Sequence, residues 1–317
     1  MLTWAADRPL RSVFMGTPAF AVPSLRALAG ATTLIGVVSQ PDRPRGRGLA
    51  SQPSPVSAVA FDLGVPLLRP ASVKDPETQQ ALATWKPDVL VVAAYGKILP
   101  RVLLDLPTLA PVNVHASLLP RHRGAAPIAA AIRAGDAETG VSIMLMSEAM
   151  DAGDVLLQRS IPITGAHTTE SLTTDLAALG ANALAEALAA LRADGLTATP
   201  QNPDLVTYAA RLEKDDGRID WTADAATIER TIRAYTPWPS AFTTLEGRTV
   251  KVLAARVADA TVAGPPGSIE VRGDSVRVAT GGAALDLMTV QAEGRKAMPA
   301  PAFAAGARLA AGARFGT

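Results

Sequence analysis

Cysteine is absent from this 317-residue chain. The protein can therefore form no disulfide bond, no zinc site built on thiolates and no cysteine nucleophile, and nothing indicates an oxidising compartment. Long apolar runs are missing as well: no window approaches about 18 uncharged apolar residues, and the first residues, with Arg8 and Arg11, lack a continuous signal-peptide core. These absences predict a soluble, cytoplasmic protein without a membrane segment.

Glycine is sparse at the first predicted turn, where Gly16 alone follows the short apolar strand predicted over 12–15. A dinucleotide-binding turn needs three spaced glycines to bring its backbone close to the pyrophosphate. A nicotinamide-dependent dehydrogenase is therefore disfavoured. The sequence shows no metal-ligand spacing either, and we expect a reaction that requires no metal.

Residues 1–194 alternate short apolar runs with helix-compatible segments. This alternation predicts an α/β domain with a doubly wound, mostly parallel sheet. The unbroken apolar run over 88–94 is typical of a central parallel strand that is buried on both faces. In open parallel sheets ligands bind beyond the carboxyl ends of the strands, and Tyr95 and His115 both fall there.

A change of composition after residue 194 predicts a second domain. Residues 195–208, which contain glycine and prolines, are predicted to be a linker. Residues 209–317 show a short helix over 225–235 and several short strands with glycine turns between them. This pattern favours a small β-barrel of the oligonucleotide-binding type. The alanine- and glycine-rich tail from Ala300 is expected to be mobile or loosely docked.

Asn113 and His115 stand two residues apart in a short apolar strand that runs into a proline-bounded loop. Side chains alternate along an extended strand, so both should project to the same side. An amide and an imidazole placed together can act on a carbonyl group, because the amide stabilises an oxyanion while the imidazole moves a proton. The pair is typical of acyl or formyl transfer. The alternative is that both side chains only satisfy backbone groups.

A carboxylate that could serve this imidazole lies in the predicted turn over 150–154. Asp151 stands in that turn between two predicted strands, and the turn could bring its carboxylate to His115. Carboxylates are common in turns, so an Asp151 without such a role is the alternative.

The predicted loop over 40–48 places Arg43, Arg45 and Arg47 among prolines and glycines. Guanidinium groups match phosphate oxygens, so the loop could be a basic finger for a nucleic acid. A solvated connection between two elements is the equally open alternative.

Several motifs taken together resemble the folate-dependent formyltransferases, and the resemblance covers nearly the whole chain. The motifs that carry it are Asn113-x-His115, Ser117-Leu-Leu-Pro120, Arg123-Gly-Ala-Ala-Pro-Ile128, Gly135-Asp-Ala-Glu-Thr-Gly140 and Asp151-x-Gly-Asp154. This resemblance implies a doubly wound catalytic domain over 1–194, the linker over 195–208 and a tRNA-binding barrel over 209–317.

The resemblance also assigns roles to residues. It implies that the co-substrate is 10-formyltetrahydrofolate and that the acceptor is the α-amino group of methionine on aminoacylated initiator tRNA, with no metal and with a monomeric enzyme. The residues it marks are Asn113, His115 and Asp151 as catalytic, Ser117, Leu118, Leu119 and Pro120 as tetrahydrofolate-contacting, and Arg43, Arg45 and Arg47 as the tRNA-binding loop.

One departure and two rival readings accompany this assignment. Relatives follow the Gly-Arg-Gly of the arginine loop with lysines, whereas Leu49 follows Gly48 here, which leaves the three arginines as the only cations of the loop. In the expected mechanism Asn113 and a protonated His115 stabilise the oxyanion, and Asp151 favours the charged imidazole. The rivals are an enzyme that uses water or an amino sugar as acceptor, and a catalytically silent RNA-binding protein.

Overall fold

A computed structural model describes residues 1–4, 8–45, 50–193, 195–309 and 312–316 of the chain. The chain divides into two compact units. The first unit consists of Met1–Pro127, Glu138–Pro162 and Thr173–Ala209, and the second of Ile128–Ala137, Ile163–Leu172 and Ala210–Thr317.

Strands and helices alternate over the first part of the chain, and strands predominate in the last part. Over the described ranges the elements are β1 (Arg11–Gly16), α1 (Ala21–Ala31), β2 (Thr33–Val38), β3 (Arg43–Arg45), β4 (Ala50–Gln52), α2 (Pro55–Asp62), β5 (Leu67–Leu68), α3 (Pro76–Thr84), β6 (Val89–Ala93), α4 (Arg101–Leu104), β7 (Ala110–His115), β8 (Arg123–Gly124), α5 (Pro127–Ala134), β9 (Glu138–Leu145), β10 (Val155–Pro162), α6 (Thr169–Ala193), β11 (Tyr208–Ala209), α7 (Ala225–Ala234), β12 (Ala241–Leu245), β13 (Arg248–Val257), β14 (Ile269–Arg272), β15 (Ser275–Val278), β16 (Leu285–Ala292), β17 (Met298–Pro299) and α8 (Ala300–Ala307).

The first unit is built on a seven-stranded sheet of order β10-β9-β7-β6-β1-β2-β5. The five strands from β7 to β5 in this order are parallel, whereas β9 runs antiparallel to β7 and β10 antiparallel to β9. All five residues of β6 are buried, and β6 is the middle strand of the seven. The predicted central strand is therefore confirmed, and the carboxyl ends of β6 and β7 lie side by side at one edge of the sheet.

A small residue in β2 lets the segment that follows α3 pack against the sheet. Gly36 in β2 lies under the ring of Trp85, which follows α3, and a Cβ at residue 36 would overlap that ring. The core at this place also contains Val13, Met15 and Leu103, all buried. A glycine in the strand thus makes room for the largest side chain of the neighbouring segment.

Helix α6 is long and apolar enough to cross a membrane by length and composition alone. In the first unit, however, it buries Leu176, Leu184 and Leu191, and Gly180 lies against Val114 of the sheet. These contacts are those of a core helix, whose apolar side is covered by the sheet.

The segment predicted to be a linker is tied to the first unit by backbone hydrogen bonds. Leu196 pairs with Leu2, Thr199 pairs with Val155, and β11 pairs in parallel with β8. In addition, residues 128–137 and 163–172, which lie inside the predicted first domain, group with the second unit. The predicted boundaries at 194 and 209 stay a prediction.

The second unit contains an antiparallel sheet of order β12-β13-β16-β15-β14, with β17 paired to β16. Its buried core is formed by the inward side chains of this sheet together with α7 and α8, among them Ile228, Val252, Leu287 and Phe303. A mostly parallel sheet with helices and a separate antiparallel-sheet unit confirm the predicted fold class.

The prediction of a mobile or loosely docked tail is wrong for the described residues 300–309 and 312–316. Residues 300–307 form α8, whose Phe303 and Ala304 are buried. Phe315, 1% exposed, stacks on Trp221 with ring centroids 5.5 Å apart and planes 11° apart. Small alanine side chains let the helix approach the sheet closely, and the two phenylalanines supply the apolar surface that holds the tail down.

Candidate active site

Strand β7 carries Asn113 and His115 at its carboxyl end, where it pairs with β6 and β9. Alternation along the strand places both side chains on one face, and His115 is 6% exposed whereas Asn113 is partly exposed. The side-chain amide of Asn113 makes no hydrogen bond to the part of the chain that the structure describes. It is therefore available to a bound carbonyl group.

The imidazole of His115 lies between two oxygen atoms. Its Nε2 donates to the backbone oxygen of His122 over 3.1 Å, because a carbonyl can only accept a hydrogen bond. Its Nδ1 lies 3.6 Å from Oδ1 of Asp151. In the neutral ring the proton is thus on Nε2, and the unprotonated Nδ1 faces the carboxylate.

Burial lowers the pKa of His115 below its ordinary value, and this effect is larger than the opposing attraction of the Asp151 carboxylate and of the His122 carbonyl. In the unliganded chain the ring is therefore neutral near pH 7, and the protonated His115 expected at the transition state stays a prediction. A neutral ring can accept a proton at Nδ1, where Asp151 would stabilise the resulting charge.

We expect the free energy of unfolding to fall as the pH is lowered through about 6.5, the ordinary pKa of an imidazole. Below that pH the unfolded chain binds a proton at His115, which the folded protein, with its lowered pKa, does not yet bind. This single proton costs up to about 1.4 kcal/mol of stability per pH unit until the folded pKa is reached. Urea unfolding of the parent and of His115→Gln between about pH 5 and pH 7.5 measures it.

The variant is the control, because the other titrating groups are common to both proteins. The parent should lose more stability than His115→Gln over this window. Equal pH slopes for the two proteins would contradict the lowered pKa of His115.

Asp151 occupies the turn between β9 and β10, with its backbone in the left-handed region at φ 50°. Its Oδ2 accepts a hydrogen bond from the backbone nitrogen of Gly124 over 2.8 Å, and its side chain is 16% exposed. One oxygen of the carboxylate is thus fixed by the backbone while the other faces His115. The structure brings all three predicted catalytic residues to one edge of the sheet.

The segment predicted to contact folate, Ser117 to Pro120, is fixed by its own hydrogen bonds. Ser117 is fully buried, and its hydroxyl donates to the backbone oxygen of Arg121 over 2.6 Å. The backbone nitrogen of Leu119 donates to Oγ of Ser142 over 3.1 Å. Leu118 and Pro120 are partly exposed, so these two residues offer the accessible surface of the segment.

The predicted arginine loop contains a short hairpin, since β3 (Arg43–Arg45) pairs antiparallel with β4 (Ala50–Gln52). Arg47 lies outside the described residues. The two ends of the loop are joined by a hydrogen bond of 2.6 Å between the buried hydroxyls of Ser39 and Ser54. The two ends of the loop are thus held together at its base.

Sequence reasoning missed several groups that hold the catalytic loops. Gln201 contacts the turn that carries Asp151, and Oγ of Thr207 accepts from the backbone nitrogen of His122 over 2.8 Å. Both belong to the segment predicted to be a linker. Neither the glutamine, which stands between two prolines, nor the threonine gave a signal of this role, because their partners are up to 85 residues away in sequence.

Comparison with known proteins covers both units. Residues 10–188 match the family model described as formyl transferase, and residues 211–308 match the formyl transferase C-terminal domain model. Among curated relatives, the methionyl-tRNA formyltransferase of Roseiflexus sp. (strain RS-1) is 48% identical over 97% of this chain and 96% of its own length.

Two solved structures share the fold. HypX from Aquifex aeolicus, solved in complex with tetrahydrofolic acid, superposes with a TM-score of 0.61 at 18% identity over 94% of this chain, which spans 47% of that protein. An N-formyltransferase from Helicobacter canadensis, solved with folinic acid and dTDP-3-aminofucose, gives 0.67 at 15% identity over 88% of this chain and 98% of that one. At these identities the likeness concerns the fold alone.

Proposed function

This chain belongs to the formyl transferase family, and we propose that it transfers the formyl group of 10-formyltetrahydrofolate to the α-amino group of methionine on initiator tRNA. The product is N-formylmethionyl-tRNA, which serves translation initiation. The observation that carries this conclusion is the 48% identity, over 97% of the chain, to a methionyl-tRNA formyltransferase. The likeness extends through both units.

Asn113, His115 and Asp151 are the proposed catalytic residues. The α-amino group has a pKa of roughly 7.7 to 8.0, so a useful fraction is neutral near pH 7 and can attack the formyl carbon. The free amide of Asn113 donates to the formyl oxygen as negative charge develops on it. The chain thereby stabilises the charge that forms when the new carbon–nitrogen bond is made.

His115 acts as the general base and the general acid of the reaction. The amine loses one proton as its bond to the formyl carbon forms, and N10 of the folate gains one as its own bond to that carbon breaks, so the protons balance. The neutral imidazole accepts the first proton and supplies the second. Asp151, 3.6 Å from Nδ1, stabilises the imidazolium while it exists.

Substrate contacts are proposed for two segments. We assign folate to the segment from Ser117 to Pro120, with Leu118 and Pro120 as its accessible residues and Ser117 and Leu119 as its fixed frame. We assign the tRNA acceptor arm to the predicted loop of Arg43, Arg45 and Arg47, together with the second unit. We further propose a cytoplasmic, monomeric enzyme that acts without a metal or a membrane.

An acceptor screen tests the function and the loop together. Purified parent and the double variant Arg45→Ala/Arg47→Ala are given 10-formyltetrahydrofolate with methionyl initiator tRNA, methionyl elongator tRNA, an amino sugar or water. We expect the parent to formylate the initiator tRNA. The variant should bind this tRNA more weakly, with each lost phosphate contact lowering the slope of log affinity against log salt by roughly 0.7 to 0.9.

Three outcomes would contradict parts of this proposal. Preference of the parent for the amino sugar or for water would overturn the acceptor, and no turnover with any acceptor would favour a silent RNA-binding protein. A double variant with the parent's affinity and salt slope would make the loop a solvated connection. Folate affinity, which should be equal in both proteins, is the control.

A further inference from the structure

The side-chain amide of Gln201 joins the two loops that flank His115. Its Nε2 donates to the backbone oxygens of Asp151 over 2.8 Å and of Gly153 over 2.7 Å. Its Oε1 accepts from Nε and Nη2 of Arg123 over 3.0 and 2.7 Å. Two protons and two lone pairs are the full hydrogen-bonding capacity of an amide, so this group is saturated by two loops that are remote in sequence.

Both loops converge on Asp151. The residue after Arg123, Gly124, donates its backbone N–H to Oδ2 of Asp151 over 2.8 Å. Gly124 cannot be replaced freely, because its φ is 120° and a Cβ there would approach the backbone oxygen of Ala209 to 2.5 Å. Gln201 therefore acts on Asp151 from two sides, through the backbone of its turn and through the loop that holds its carboxylate.

The backbone of Asp151 needs such support. A non-glycine residue in the left-handed region, at φ 50° here, costs free energy and persists only where the surroundings determine it. The next fixed point is Gly153, which lies so close to the backbone of Leu145 that a Cβ would overlap it. Two hydrogen bonds from one amide to the carbonyls of residues 151 and 153 hold the intervening turn in this shape.

We propose that Gln201 is a positioning residue for Asp151 in the formyl transfer reaction. It touches no substrate; it sets the distance and direction of the carboxylate relative to Nδ1 of His115. This inference rests on the proposed catalytic role of Asp151. Gln201 lies within the segment 195–208, so this segment helps to hold the catalytic residues in position.

A double-mutant cycle between Gln201 and Asp151 tests this role. Gln201→Met keeps the length of the side chain and removes all four hydrogen bonds, whereas Gln201→Glu keeps the acceptor for Arg123 and removes the donor to the turn. Each is made alone and together with Asp151→Asn. The readouts are kcat and KM for both substrates, with single-turnover rates where kcat is small.

We expect both Gln201 variants to lower kcat by about 10- to 100-fold, since a misplacement of about 1 Å at a catalytic group costs on this order. KM for folate and for tRNA should change by less than about threefold, because no substrate contact is lost. In the Asp151→Asn background the same substitutions should lower the rate by less than about twofold, because there is no carboxylate left to position.

Asn202→Ala is the matched control. Asn202 is the exposed neighbour of Gln201, and among the described residues its side chain accepts only a local hydrogen bond, from the backbone nitrogen of Asp204 over 3.0 Å. It should keep the parent's kcat. If Gln201→Met does not fold, as judged by its thermal unfolding, Gln201→Glu retains the bond to Arg123 and carries the test.

Two results would overturn the inference by itself: a parent-like kcat in both Gln201 variants while Asp151→Asn is impaired, or an equal loss of rate in the two backgrounds. The second result would mean that Gln201 stabilises the fold without acting through the carboxylate. A parent-like kcat in Asp151→Asn is a different failure, because it removes Asp151 from the proposed mechanism and the positioning role with it.

Discussion

His115→Ala and Asn113→Ala are each expected to lower kcat for formyl transfer by about 100- to 1,000-fold, within the usual cost of losing a group that moves a proton, for His115, or one that stabilises an oxyanion, for Asn113. One ring nitrogen of His115 is bonded to the backbone oxygen of His122, and the other faces the carboxylate of Asp151. The Asn113 amide makes no hydrogen bond to the described residues. The measurement is the rate of formyl transfer to methionyl initiator tRNA at saturating folate.

The affinity for tRNA shows whether a variant has lost only the chemical step or has also lost its fold. Affinity for tRNA should stay near the parent value in both variants, because neither side chain is assigned to the tRNA. Asn182→Ala is a suitable control for Asn113→Ala, since Asn182 is exposed on α6. A variant of Asn113 or His115 with nearly the parent's kcat would remove that residue from the mechanism.

Phe315→Ala is expected to lower the free energy of unfolding of the second unit by about 3 to 5 kcal/mol, the range for removing a buried aromatic side chain. The ring is 1% exposed and stacks on Trp221. The backbone nitrogen of Phe315 also donates to the oxygen of Gly267 over 2.9 Å, which fixes the residue at its place in the core. Urea unfolding followed by circular dichroism measures the change.

Phe61→Ala provides the matched control, because Phe61 is 84% exposed on α2. Its effect should lie within about 0.5 kcal/mol of the parent. A Phe315→Ala protein as stable as this control would mean that the tail contributes nothing to the core, as the alanine and glycine composition suggested.

Most of the fold could be predicted from local sequence patterns. The apolar run over 88–94, which forms β6, and the helix predicted over 225–235, which forms α7, needed only neighbouring residues to be recognised. The same holds for Asn113 and His115, because the two-residue period of a strand fixes their common side. Helix and strand periods are properties of the chain itself, so they can be read without knowledge of distant contacts.

Features that depend on distant residues were missed or misjudged. The lowered pKa of His115 was not predicted, because burial, which the sequence does not display, outweighs the attraction of Asp151. Gln201 was placed in a linker because its partners, Arg123 and the turn at Asp151, are 78 and 50 residues away. The packing of Phe315 in the core was not predicted for a similar reason. The alanine- and glycine-rich composition of the tail describes its average, whereas a single phenylalanine anchors it.

The hydroxyl pair of Ser39 and Ser54 has a consequence for how this enzyme can change. The buried bond between them closes the arginine loop at its base, so the two ends of the loop are held together independently of the residues between them. Lengthening such a closed segment is inexpensive, at about 0.6 kcal/mol for each doubling of its length. Under the tRNA-binding role that we propose for the arginines, insertions and charge changes in this loop would alter acceptor binding while Asn113, His115 and Asp151 keep their places.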